Sequence, residues 1–161
     1  MTSTPAPSVA PAEAEIDALI AAQLHLEGPL LPIFHALQEA YCHVPQAALS
    51  RIAEALNLTR AEVHGVMSFY HDFRSAPAGR HVLKICRAEA CQSMGGAALA
   101  DRLLAKLGLD WHGTTPDGKV TVEPVYCLGL CACAPAAMVD NKVRGRLDDA
   151  ACDALIAEVR A

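Results

Sequence analysis

Four of the seven cysteines in this 161-residue chain fall in two pairs, Cys86 with Cys91 and Cys127 with Cys131. Each pair follows a segment that reads as a strand. Before the first, Val82, Leu83 and Ile85 form an apolar run broken only by Lys84, which suits a strand buried on both faces and ending at Cys86. Before the second, residues 119–126 read as another strand. If the two strands are parallel neighbours, both loops lie at one sheet edge and four thiols are brought together there.

Between the strands, residues 97–107 form an amphipathic helix with Leu99, Leu103 and Leu104 inward and Gly108 as its stop. Beyond them, residues 137–139 and 143–146 make a hairpin turning at Asp140-Asn141, and residues 148–159 close the chain as a helix. Helices on a small mixed sheet define a layered α/β unit. The N-terminal half is helical instead. Ile16, Leu19, Ile20 and Leu24 recur at helical spacing until Gly28-Pro29, and Ile33, Phe34, Leu37 and Tyr41 mark a second helix that breaks at His43-Val44-Pro45. Pro45 opens a third, whose inner face is Leu49, Ile52, Ala53 and Leu56. Thr59 and Glu62 have the spacing of a capping box ahead of a fourth helix with Val63, Val66, Met67 and Tyr70 on its apolar face. The expected α+β organisation is a disordered tail over 1–11, a small helical bundle over 12–74, a turn-rich linker over 75–79 and the α/β unit over 80–161.

Composition narrows the function. With 53% hydrophobic and 19% charged residues the chain buries a real core, and its length excludes a large multidomain enzyme. An aromatic share of 4% and a net charge of −5 disfavour nucleic-acid binding, which needs stacking platforms and a basic face. Residues 1–11 hold no basic residue and no apolar run, so no signal or transit peptide is expected and the expected location is cytoplasmic. The longest uncharged run, 124–139, is short for a bilayer and is interrupted by Gly129, Pro135 and three cysteines, so no membrane insertion is expected. No Walker loop, Gly-x-Gly-x-x-Gly fingerprint or Gly-x-Ser-x-Gly elbow is present, so the chain shows no nucleotide or flavin cradle of its own.

Reduced cysteines in a cytosolic chain point to metal binding, redox chemistry or core packing. Four thiolates at one sheet edge can hold a tetrahedral zinc or an iron-sulfur cluster, and the Cys-x4-Cys and Cys-x3-Cys spacings leave both open. Two wide loops, each free to ligate one iron of a 2Fe-2S rhomb, fit a cluster more naturally than the two-residue knuckles of structural zinc sites. Gly95, Gly96 and Gly129 let amides approach sulfide, and Ala132, Ala134, Pro135, Ala136 and Ala137 supply a dry wall. Taken alone, Gly95 and Gly96 read as ordinary turn residues. Cys42 and Cys152 read as core thiols, and Cys131 is preferred to Cys133 as fourth ligand because its loop is more like the first. Arg80, His81, Lys84 and Arg87 put basic character near the first loop.

The segments Cys86-Arg87-Ala88-Glu89-Ala90-Cys91 and Cys127-Leu128-Gly129-Leu130-Cys131, followed by Ala134-Pro135, resemble the thioredoxin-like 2Fe-2S ferredoxin family, which includes the small 2Fe-2S subunit of complex I. Gly65-Val66-Met67-Ser68-Phe69-Tyr70 and Thr114-Thr115-Pro116-Asp117-Gly118 look like the same family. The resemblance implies a helical region joined to a thioredoxin-like 2Fe-2S domain over 80–161, with Cys86, Cys91, Cys127 and Cys131 as ligands. Within the family, the stretch from Cys86 to Gly95 looks most like the gamma subunit of soluble NAD-dependent formate dehydrogenases. That narrower likeness implies an electron-transfer subunit, not active alone, that exchanges electrons with a flavoprotein subunit carrying FMN and the NAD site. A molybdenum-containing subunit would then oxidise formate. The corresponding subunits of NADH-quinone oxidoreductase and of NAD-reducing hydrogenases, and a free ferredoxin, are the alternatives.

Overall fold

The computed structural model describes residues 12–161, so the tail expected over 1–11 lies outside the described residues. These residues form two compact units, one over 12–77 and one over Ala78–Ala161. In the first, helices α1 (Glu13–Gln23), α2 (Leu30–Tyr41), α3 (Gln46–Leu56) and α4 (Arg60–Phe69) enclose one apolar core. Its centre is Ile16, Ile33, Phe34, Leu37, Leu49 and Ile52, the residues that the helical period places inward. Helix α2 ends where Cys42 turns left-handed (φ 61°), and α3 where Asn57 does the same (φ 54°). Arg51 of α3 pairs with Glu13 and Asp17 of α1, and its guanidinium holds the Asp17 carboxyl below the usual carboxylate range. The capping box is formed: Thr59 Oγ1 accepts from the Glu62 N–H at 3.2 Å, and the Glu62 carboxylate accepts from the Thr59 N–H at 2.8 Å. Tyr70 departs from expectation, lying one residue past α4 and largely exposed.

The second unit contains β1 (His81–Cys86), α5 (Glu89–Ser93), α6 (Gly96–Leu107), β2 (Val120–Val125), a 3-10 turn (Cys131–Cys133), β3 (Ala137–Val139), β4 (Lys142–Arg144) and α7 (Asp149–Arg160). The sheet order is β2-β1-β3-β4, with β1 parallel to β2 and the other pairings antiparallel. Leu83, Ile85, Val120, Val122 and Val139 line one face, on which α6 sets Leu99 and Leu103 and α7 sets Leu155 and Val159. Asp140 and Asn141, with φ of 46° and 69°, turn the β3–β4 hairpin as such a short connection requires. The other face is polar yet largely covered, Thr121 and Glu123 being 5% and 8% exposed. Lys84 of β1 and Glu123 of β2 sit directly opposite one another there and form an ion pair at 3.7 Å. Among the described residues no helix is long and apolar enough to cross a membrane.

Removing the N-cap hydroxyl with Thr59→Ala leaves one amide of α4, the Glu62 N–H, without its partner, which is expected to cost about 1 kcal/mol. A lower urea midpoint followed by far-UV circular dichroism checks this; an unchanged midpoint would show that the box contributes nothing.

Candidate metal centre

The register Cys86↔Val125 brings the ends of β1 and β2 level, so the two cysteine loops leave the sheet side by side. Cys86 is the last residue of β1, and its N–H donates to the Ala136 carbonyl at 3.0 Å. The chain crosses Arg87, whose N–H donates to Val125 at 2.8 Å, and enters the five-residue helix α5, whose third residue is Cys91. This helix was not expected; the sequence reads there as a loop. Gly95 (φ 83°) then turns the chain into α6. Gly96 lies against the backbone of Cys91, where an added Cβ would stand 2.5 Å from the Cys91 carbonyl oxygen and 2.9 Å from its carbon. Gly96 is therefore no ordinary turn residue: only a hydrogen fits between α6 and the carbonyl of Cys91.

The second loop is turned by two left-handed residues, Cys127 (φ 87°) and Gly129 (φ 77°), before the 3-10 turn that carries Cys131. A left-handed cysteine costs on the order of 1 kcal/mol, and the loop obtains amide contacts to sulfur in return. The Cys127 and Leu128 amides bond the Cys86 sulfur, and the Gly129 N–H donates to the Cys127 sulfur at 3.4 Å. The sulfurs of Cys127 and Cys131 stand 3.7 Å apart. Cys86 and Cys91 form the other hydrogen-bonded pair.

The two pairs differ in environment. Cys86 and Cys91 are 3% and 2% exposed, whereas Cys127 and Cys131 are open to solvent. Burial alone would push the Cys86 thiol up, but hydrogen bonds from the amides of Ala88, Cys127 and Leu128 and from Cys91 outweigh it and lower it. Burial and the hydrogen bond to Cys86 push the Cys91 thiol up, against the Ala136 amide. The Cys131 thiol is raised by its hydrogen bond and charge repulsion with Cys127. Four cysteine sulfurs at one end of the sheet form a donor set for a soft cation or an iron-sulfur cluster. They associate two by two, and among the described residues no group of three or more His, Cys, Asp or Glu gathers for a single metal ion.

The wall around the site corrects part of the expectation. Ala136 is buried with Cys86 and Cys91, and Ala134 packs against them, but Ala132 is exposed and Ala137 belongs to the main core. Ala88, Val125, Leu128 and Leu130 complete the wall and were not anticipated. Cys133 is held by its backbone against the following loop: its carbonyl accepts from the Arg146 N–H at 2.6 Å, and a Cβ on Gly145 would meet its Cβ at 2.9 Å. Cys152 is buried in the main core, and burial pushes its thiol up. Cys42 caps α2 in the other unit. Of the four basic residues expected near the first loop, Arg87 stands in it, but the others make no patch with it there. Arg80 and His81 lie at the opposite end of β1, roughly 16 Å from Cys86 at strand rise. His81 there pairs with Asp140, and Lys84 pairs with Glu123.

A family model described as thioredoxin-like 2Fe-2S ferredoxin matches residues 16–160. A subunit of the NADH-quinone oxidoreductase of Rhizobium meliloti is 35% identical over 91% of this chain and 88% of its own length. The HndA subunit of the NADP-reducing hydrogenase of Solidesulfovibrio fructosivorans is 30% identical over 82% of this chain and 77% of its own. Among solved structures, a chain of an NAD+-reducing NiFe hydrogenase in the H2-reduced state superposes with a TM-score of 0.67 at 30% identity. That match covers 81% of this chain but 22% of the hydrogenase chain.

Gly96→Ala must displace α6 or the Cys91 carbonyl, so the metal retained per purified chain is expected to fall at least severalfold. Gly65→Ala, at a helical glycine with open space around its Cβ position, is the control and should retain metal like the parent. Equal metal content in the two variants would refute the close-packing argument.

Proposed function

The chain belongs to the thioredoxin-like 2Fe-2S ferredoxin family, and from that premise we propose that Cys86, Cys91, Cys127 and Cys131 hold its 2Fe-2S cluster, with one pair on each iron. The observation that carries this reading is the delivery of two cysteine pairs to the same end of two parallel strands, with backbone amides aimed at sulfur. Such a cluster supplies one-electron exchange. The chain's own residues hold and shield it: Ala134 and Ala136 keep water from the Cys86 and Cys91 side, while Cys127 and Cys131 stay at the surface beside an exposed Tyr126. That open side gives a partner the shortest approach.

The coarse function follows: an electron-transfer subunit of an NAD-linked oxidoreductase complex, working with a flavoprotein subunit. NAD chemistry moves a hydride and the cluster moves single electrons, so a flavin has to convert between them. For the finer identity we propose the gamma subunit of a soluble, cytoplasmic NAD-dependent formate dehydrogenase, whose catalytic subunit contains molybdenum. The first cysteine loop, Cys86 to Gly95, supports it. A second reading, the corresponding subunit of an NADH-quinone oxidoreductase or an NAD-reducing hydrogenase, is favoured by the names of the relatives. Residues 12–74 and 80–161 are proposed as the helical and cluster-bearing domains.

Two measurements test these readings. Cys86→Ser and Cys131→Ser are expected to lose most of the bound iron, and Cys133→Ser to keep it; iron loss on Cys133→Ser with retention on Cys131→Ser would reassign the fourth ligand. The complex captured on a tagged copy of this chain should reduce NAD with formate. Reduction with hydrogen, or NADH oxidation by a quinone, would transfer the identity to the second reading.

A further inference from the structure

Arg87 stands at the cysteine-bearing end of β1. It directly follows Cys86, and its backbone is fixed by the bond from its N–H to Val125 and by Gln92 Nε2, which donates to its carbonyl at 3.4 Å. Its guanidinium lies 5.1 Å from the ring centroid of Trp111. Trp111 is itself anchored: it packs on the main core, and the next residue, His112, donates its N–H to Val122 at 2.8 Å. Among the described residues Arg87 is in no ion pair, whereas Lys84 is paired with Glu123.

Building on the cluster reading above, we propose that Arg87, held on the face of Trp111, is a tuning residue that raises the reduction potential of the cluster. Reduction adds one negative charge to a centre already bearing four thiolates. A fixed positive charge nearby stabilises the reduced form more than the oxidised one. An aromatic ring holds the guanidinium in place without cancelling its charge, which a carboxylate would do. The guanidinium is at the surface, so salt screens it over a length of about 10 Å at 0.1 M ionic strength.

The test is an EPR-monitored redox titration of the full, iron-loaded chain, comparing the parent with Arg87→Gln, Arg87→Lys and Trp111→Phe, with iron counted on every sample. The expected result is unchanged iron and line shape in all four, a more negative midpoint for Arg87→Gln and a midpoint near the parent's for Arg87→Lys. Trp111→Phe should fall between them, and the gap between parent and Arg87→Gln should narrow as salt is raised. A midpoint for Arg87→Gln equal to the parent's, with iron retained, overturns the tuning role and leaves the cluster reading intact. Iron loss in Arg87→Gln also overturns it, because Arg87 would then be holding the loop. A parent chain with no iron and no signal overturns the cluster reading itself.

Discussion

The parallel pairing of β1 with β2 is the constraint on which the site depends. Six consecutive residue pairs run from His81↔Val120 to Cys86↔Val125, and the last of them sets both cysteine loops at one end of the sheet. A shift of a single residue would reverse the faces of one strand, taking Val120 and Val122 off the core and Glu123 into it. The helices α6 and α7 hold the register because they cover the face that carries Leu83, Ile85, Val120 and Val122. The Lys84–Glu123 pair favours the same register from the other face, since its two charges are directly opposite only in that alignment.

Given that register, the site is made by backbone more than by side chains. Cys86 and Cys91 lie in the small cluster with Ala136, where burial opposes ionisation, and amides from three separate positions reverse that effect at Cys86. Two of those amides come from the opposite loop, at Cys127 and Leu128, so each loop completes the surroundings of the other. The left-handed backbone at Cys127 and the absent side chain at Gly96 both serve close approach to sulfur or to the Cys91 backbone. The exposure of Cys127 and Cys131 makes the site asymmetric, with one shielded side and one open to solvent.

Local signals were legible in the sequence because their causes are local. The capping box at Thr59, the Asp140-Asn141 turn, the stop at Gly108 and the inward faces of α2, α3 and α6 all stand where spacing put them. What escaped was set by residues distant in sequence. Helix α5 is five residues long and has no apolar period to read, so Cys91 looked like a loop residue. Gly96 gains its meaning only from the Cys91 carbonyl, and Leu128 and Leu130 join the wall only after their loop folds back. Neighbours in sequence also misled: Arg80 and His81 are close to Cys86 along the chain, but an extended strand carries them to the far end of the sheet. The pairing of the thiols is likewise a property of the folded loops, and the choice of a cluster over zinc, which spacing left open, comes from the family match.

The proposed function rests on Cys86, Cys91, Cys127 and Cys131 holding a 2Fe-2S cluster. Its most direct test is an anaerobic visible and EPR spectrum of the full chain, oxidised and dithionite-reduced, with iron and zinc counted on the same sample. The expected result is a brown protein with about two irons per chain, no zinc, and a half-integer-spin signal that appears on reduction. A colourless, EPR-silent protein containing zinc would contradict it and leave a metal-stabilised interaction module in place of an electron carrier.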